Sequence, residues 1–282
     1  MLKLRVYSDI HQEFKLDSPF VIQPYGNEKE QALLIVGDFY HHAQRETEFV
    51  KQQFQDYSNR FAKVFLTFGN HDFYGKRSKL GAKYIIQFAE YLKQFGDNIH
   101  LLSRHTPIVE CDNQIFIGAT LWTDLDKKPP QGISHDFYNS QSNDFLKITY
   151  SNKGYSNFRP VHWLQEFIAD FSWIKKEVNK YKDSGKDIII MTHFAPSLQC
   201  VDYEDAKGLY SKFYKSDLDN FIISNPEIKY WLIGHIHNAQ NIQIGNTTIF
   251  SNPIGYESKI DIKPENSLCP GFDFSYHKKF KL

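Results

Sequence analysis

Two carboxylates (Asp9 and Asp38), one amide (Asn70) and four imidazoles (His11, His193, His235 and His237) stand in five short motifs along the chain. The motifs are D-I-H at 9–11, G-D at 37–38, G-N-H-D at 69–72, a lone histidine at 193 and G-H-I-H at 234–237. A mixed oxygen and nitrogen donor set suits divalent transition metals, Mn first and then Fe, Zn, Co or Ni, better than the all-oxygen coordination typical of Ca or Mg, although Mg stays open. Seven donors are too many for one catalytic ion, which takes about three protein ligands and a water. The surplus points to two divalent metal ions sharing a bridging group, for which a carboxylate is the natural choice. Two ions roughly 3.5–4 Å apart clamp an attacking hydroxide and the oxygens of a phosphoryl group in line. The chemistry implied is phosphoester hydrolysis.

Each motif directly follows an apolar run, and those runs must position it. Leu2 to Tyr7, Ala32 to Val36, Val64 to Phe68, Ile115 to Ile117, Ile188 to Met191 and Tyr230 to Ile233 are short and rich in branched or aromatic residues. Such runs predict strands covered on both faces, as in a largely parallel sheet. Apolar spacings of three and four predict amphipathic helices over 46–61, 79–95 and 161–181. The stretch 242–250, broken by Gly245-Asn246, reads as a β-hairpin. In open α/β sheets, ligands gather at the carboxyl ends of the strands, so donors far apart in sequence converge there. The polar segment from Asp124 to Pro160 is weakly periodic and reads as an insertion or cap on a single domain of 1–282. The tail, about 261–282, reads as loop.

A lone D-x-H or a Gly-Asp after a strand is often only a turn or a helix cap. G-N-H-D and G-H-x-H are rarer, and all five motifs in this order resemble the signature of calcineurin-like metallophosphoesterases, across Asp9 to His237. That resemblance implies an α/β fold, a four-layer αββα sandwich of two mixed sheets flanked by helices with the site at one end. It assigns Asp9, His11 and His237 to one ion and Asn70, His193 and His235 to the other, with Asp38 bridging. It further implies that His71 is no ligand but sits by the metals to protonate the leaving oxygen or stabilise the transition state, with Asp72 orienting it. Such a pairing is physically sensible, since a carboxylate fixes an imidazole's tautomer and raises its pKa. Ala119 to Asp124, Asn143-Asp144-Phe145, Asn252 to Tyr256 and Gly271-Phe272-Asp273 look like a bacterial and phage subgroup with a Thr-Leu-Trp motif. Ile254 stands where that subgroup often carries Arg and offers no guanidinium there.

Composition narrows the partners. Thirty-three basic residues balance thirty-three acidic ones, so no net field favours a nucleic-acid backbone or an anionic membrane. The three cysteines are scattered and suit a reducing, cytoplasmic setting. No apolar segment has the length of a membrane span. A small phosphorylated molecule or nucleotide is therefore the expected substrate, with nuclease, protein phosphatase and non-catalytic scaffold as alternatives. No feature selects an oligomeric state. Candidate substrate contacts are His41 and His42, after the Gly-Asp motif, and Trp122, Arg159 and His162 around the insertion, where a guanidinium or a stacked ring would help select a nucleotide. Solvation of the first pair, and packing of the others together with Phe158, are the structural alternatives.

Overall fold

The structure, a computed structural model, describes residues 2–15, 17–40, 47–75, 79–127, 142–150, 156–201 and 211–256. Its strands are β1 (Lys3–Tyr7), β2 (Gln31–Val36), β3 (Lys63–Thr67), β4 (Lys79–Leu80), β5 (Ile99–Leu101), β6 (Val109–Cys111), β7 (Gln114–Ala119), β8 (Thr149–Tyr150), β9 (Ser156–Asn157), β10 (Asp187–Thr192), β11 (Ile228–Leu232), β12 (Gln240–Ile244) and β13 (Thr247–Ser251). The helices are α1 (Glu48–Arg60), α2 (Ala82–Leu92), α3 (Asp144–Lys147), α4 (Pro160–Tyr181) and α5 (Asp219–Ile223).

Two sheets carry the architecture. The first runs β1-β2-β3-β5, all parallel. The second runs β12-β13-β11-β10-β7-β6, with parallel pairs at its centre and antiparallel pairs at both edges. Alternate residues of the two sheets meet in one buried cluster: Leu4, Val6, Leu34 and Phe65 face Phe116, Ile189, Met191 and Leu232. Phe65 and Phe116 stack across this layer with centroids 4.2 Å apart. The intervening residues point outward. Leu33, Ile35, Val64 and Leu66 join Val50 and Phe54 of α1 and Phe88 of α2, while Ile115, Ile117, Ile188 and Ile190 join Ile174 and Val178 of α4. Because both faces of the central strands are buried, they read as unbroken apolar runs.

Local chemistry sets the helix starts. Thr47 accepts a hydrogen bond from Val50 N through its hydroxyl and caps α1. Pro160 opens α4, where its missing N–H leaves no helical bond unmade. The expected helix over 79–95 begins later than its periodicity suggests. Lys79 and Leu80 pair with Thr149 and Tyr150 instead, so a partner strand in the insertion overrides helical spacing. The insertion is accordingly not structureless. Within its described residues it folds into α3 and into β8 and β9, which with β4 make a small three-stranded sheet. β5 and β6, three residues each, are too short for any periodicity to announce them.

Candidate metal centre

Every donor stands just past the carboxyl end of a strand. Asp9 and His11 follow β1, Asp38 follows β2, Asn70 follows β3, His193 follows β10, and His235 and His237 follow β11. At these ends the backbone turns sharply. Asp9, His11, Asp38, His235 and His237 all hold left-handed backbone angles, with φ of 51°, 48°, 53°, 66° and 56°. Such angles cost non-glycine residues roughly 1–3 kcal/mol each and persist only where surrounding contacts enforce them. Here they aim side chains from separate loops at one point. Two glycines clear the path. A Cβ on Gly37, itself at φ 76°, would lie 2.3 Å from the His193 ring, and one on Gly69 would lie 2.1 Å from an Asp38 oxygen.

The donors assemble into two compact groups, Asp9 with His11 and His237, and Asp38 with His193 and His235, in each of which the donor atoms lie within 4.8 Å of one another. Nε2 of His11 is 3.1 Å from Nε2 of His237, and Nε2 of His193 is 3.0 Å from Oδ1 of Asn70. The Asp38 carboxylate touches both groups, 3.6 Å from His11 and 3.3 Å from His193. Asp9 spends Oδ1 on the backbone N–H of His235, whereas its Oδ2 is buried without a hydrogen-bond partner among the described residues. A buried, unpartnered carboxylate oxygen beside converging imidazole nitrogens is the arrangement a divalent cation satisfies and a hydrogen-bond network does not. The residues fit two ions.

Electrostatics agree with that reading. Burial alone would raise the Asp38 and Asp9 carboxyls, yet both are held well below the usual carboxylate range, Asp38 by His193, His71 and His11 and Asp9 by His237 and His193. Both are therefore charged and ready to coordinate. Burial and then the charge of His193 pull His235 down to about 3, which keeps that ring neutral as a ligand must be. His193 behaves oppositely: burial lowers it, but Asp38, Asp9 and the Val36 carbonyl together lift it to about 9, so a divalent ion bound there would have to displace its proton.

His71 sits beside the donors and belongs to an overlapping group with His11 and Asp38. Its expected partner is corrected by the structure. The Asp72 carboxylate does not orient the imidazole but accepts the backbone N–H groups of Asp38, at 2.9 Å, and Gly69, at 2.7 Å. It ties the two loops together, and burial followed by the Asp38 charge pushes it up to about 8. Glu13 takes the orienting place. Its Oε1 lies 2.9 Å from Nδ1 of His71 and 2.9 Å from Nδ1 of His11, joining the two imidazoles through one oxygen. Burial opposes the protonation of His71, but Asp38 and Glu13 together raise its pKa above the ordinary value.

Other residues were hidden from motif reading. Asp144, on α3 of the insertion, accepts hydrogen bonds from the Asn70 amide at 2.8 Å and the Tyr74 hydroxyl at 2.6 Å, which leaves Asn70 Oδ1 facing His193 and the other donors. Its only sequence signal was the Asn143-Asp144-Phe145 motif, just as Glu13 was signalled only by standing two residues after His11. The segment 252–255 runs beside β1, with Gly255 N bonded to Asp9 O and the buried Lys15 ammonium bonded to the carbonyls of Ile10 and Gly255. This lays Tyr256 over His11 and His237, at ring distances of 4.6 and 4.5 Å.

The expected substrate contacts fare unevenly. Trp122 is fully buried among Phe73, Phe158, Trp163 and Phe194, so it packs and offers no face to a ligand. His162 stacks on Tyr150 at 4.1 Å, and Phe158 is buried within the same aromatic layer. Arg159 is exposed and precedes α4. His41, His42 and Gly271-Phe272-Asp273 lie outside the described residues.

Comparison with known proteins decides the family, because the model for calcineurin-like phosphoesterases matches residues 2–239. The chain belongs to that family. Its members hydrolyse phosphoesters and normally hold two divalent ions, which the donor groups above accommodate. An uncharacterized protein of Acanthamoeba polyphaga mimivirus is 24% identical over 274 residues, spanning 90% of this phosphoesterase and 91% of its own length. Among solved structures, the phosphopantetheinyl hydrolase PptH from Mycobacterium tuberculosis shares the fold, with a TM-score of 0.59 at 14% identity over 90% of this chain and 89% of that one. Among the described residues, no helix is long and apolar enough to cross a membrane.

Proposed function

We propose that this phosphoesterase hydrolyses a phosphomonoester or phosphodiester of a small molecule or nucleotide, with His71 protonating the leaving oxygen. The supporting observation is the Glu13 bridge. By accepting at Nδ1 it fixes the His71 tautomer, so the transferable proton sits on Nε2. In this reading Asp9, His11 and His237 would hold one ion and Asn70, His193 and His235 the other, with Asp38 available to both. The ions, Mn first among the candidates, would supply positive charge for the phosphoryl oxygens and a water activated for attack at neutral pH. The chain's own residues do the remainder. Asp144 and Glu13 orient Asn70 and His11, Asp72 locks the loops that carry Asp38 and Asn70, and Asp38 with Glu13 favours the protonated form of His71 that a leaving-group acid needs.

A small substrate is favoured over a polymer by the balanced net charge and by the insertion, whose residues 144–149 stand against the loop that bears His71. A scaffold that had lost its chemistry is disfavoured because every donor and the candidate acid are in place. Among the described residues Cys111 and Cys200 form no disulfide, which fits a reducing, cytoplasmic setting. The deciding experiment offers p-nitrophenyl phosphate and bis-p-nitrophenyl phosphate to metal-stripped protein with and without Mn²⁺. Turnover restored by the metal and abolished in His71→Ala supports the reading, and the preferred ester separates monoesterase from diesterase. Turnover that needs no metal, or that is undiminished in His71→Ala, refutes it.

A further inference from the structure

A groove of about 460 Å³ opens beside His71, lined by Glu13, Phe14, Tyr74, Leu146 and Lys147. That volume lies within the range of small-molecule sites, roughly 300–1,000 Å³. Its walls are apolar and strongly exposed, with Phe14 at 56% and Leu146 at 63% of full accessibility. Among the described lining residues its cationic side chain is Lys147. The Lys147 ammonium stands 5.1 Å from the Tyr74 ring, and that ring stacks on His71 at 4.3 Å, so the positive charge lies one aromatic ring beyond the candidate acid. No carboxylate among the described residues pairs with Lys147. The lysine is nevertheless well placed, because the helix that carries it is anchored on its other side by Asp144, bonded to Asn70 and Tyr74, and by the buried Phe145. Among the described lining residues the negative group is Glu13, which shares an oxygen between His11 and His71 and so has its charge drawn toward the metal centre.

We propose that this groove receives the leaving group, and that the leaving group is an apolar or aromatic body carrying a second anionic group, the chemical class of a nucleoside phosphate. This rests on the reading of His71 as the leaving-group acid. In the step, water oxygen forms a new bond to phosphorus while the bond from phosphorus to the leaving oxygen breaks. His71 gives its proton to the departing oxygen and is reprotonated as water's surplus proton is released. An acid must lie within hydrogen-bond reach of that oxygen. Whatever the oxygen carries is then directed into the space His71 borders, where Phe14 and Leu146 cover an apolar body and Lys147 meets an anion.

The test compares kcat/KM for adenosine 3′,5′-bisphosphate, losing its 5′-phosphate to leave adenosine 3′-phosphate, with that for adenosine 5′-monophosphate, using Mn-loaded protein at low salt. The wild type should prefer the bisphosphate. That preference should fall about fivefold in Lys147→Ala, as expected for one partly exposed ion pair, and should invert in Lys147→Glu. Equal rates on the two nucleotides in the wild type, or one ratio shared by all three proteins, overturn the groove assignment while turnover of p-nitrophenyl phosphate still upholds the phosphoesterase. No turnover of any of these esters, or of bis-p-nitrophenyl phosphate, by the Mn-loaded wild type overturns the phosphoesterase reading, and the groove assignment falls with it.

Discussion

His71 relies on Glu13 for its tautomer and on Asp38 for its charge, so single substitutions at these three positions should fail in different ways. His71→Ala should lower kcat by roughly 10²–10⁴-fold, the usual range for a lost general acid, while two metal equivalents remain bound. Asp38→Asn should lose metal as well as turnover, since Asp38 reaches both donor groups. Metal content measured on the two purified variants separates these roles, and equal metal loss in both would contradict them. Glu13→Gln should fall between. It keeps the shape but weakens the hold on both imidazoles, and a supporting residue of this kind typically alters metal affinity or activity by about 10–100-fold. Were Glu13→Gln indistinguishable from wild type in both metal titration and turnover, the bridge would be only a packing contact.

Short elements set the precision of the site. Parallel strands stop in register, so loops from β1, β2, β3, β10 and β11 reach one end of the sandwich, and the positive-φ residues then point the donors inward. The α3 helix is four residues long, yet through Asp144 it holds the Asn70 amide. Asp144→Ala should therefore weaken metal binding by about 10–100-fold without displacing the cooperative unfolding transition of the apoprotein far. The observable is the divalent-ion titration of that variant. The sandwich itself depends on its inter-sheet layer. Phe116→Ala removes the ring stacked on Phe65 and should destabilise by about 3–5 kcal/mol, read from the urea midpoint. The contrast between the two variants distinguishes an element that shapes the site from one that holds the fold.

Across the whole molecule, stability should respond to both protons and metal. Burial, then the Lys63 charge, pulls His100 on β5 down to about 4, below the ordinary value near 6.5. The folded state thus prefers the neutral ring. Its contribution is complete above pH 6.5 and is lost as pH falls toward 4, because only the unfolded chain takes up the proton in that window. Urea midpoints at pH 7.5 and pH 5 should converge more in His100→Gln than in wild type. Metal should act through the same linkage, a divalent ion at 100 times its Kd adding about 2.7 kcal/mol to a state that alone can bind it, so chelation should lower the melting temperature. Six central strands were legible in the sequence because a parallel sheet buried on both faces leaves unbroken apolar runs, and five of these runs are followed directly by candidate donors. The start of α2 was misread because the pairing of Lys79 and Leu80 with Thr149 and Tyr150 spans some seventy residues, and local periodicity carries no trace of such a contact. For the same reason Glu13 rather than Asp72 as the partner of His71, Asp144 behind Asn70, and Trp122 as packing were decided only by tertiary structure. A residue's type announces the chemistry it can perform, whereas its neighbour across the fold determines which chemistry it is given.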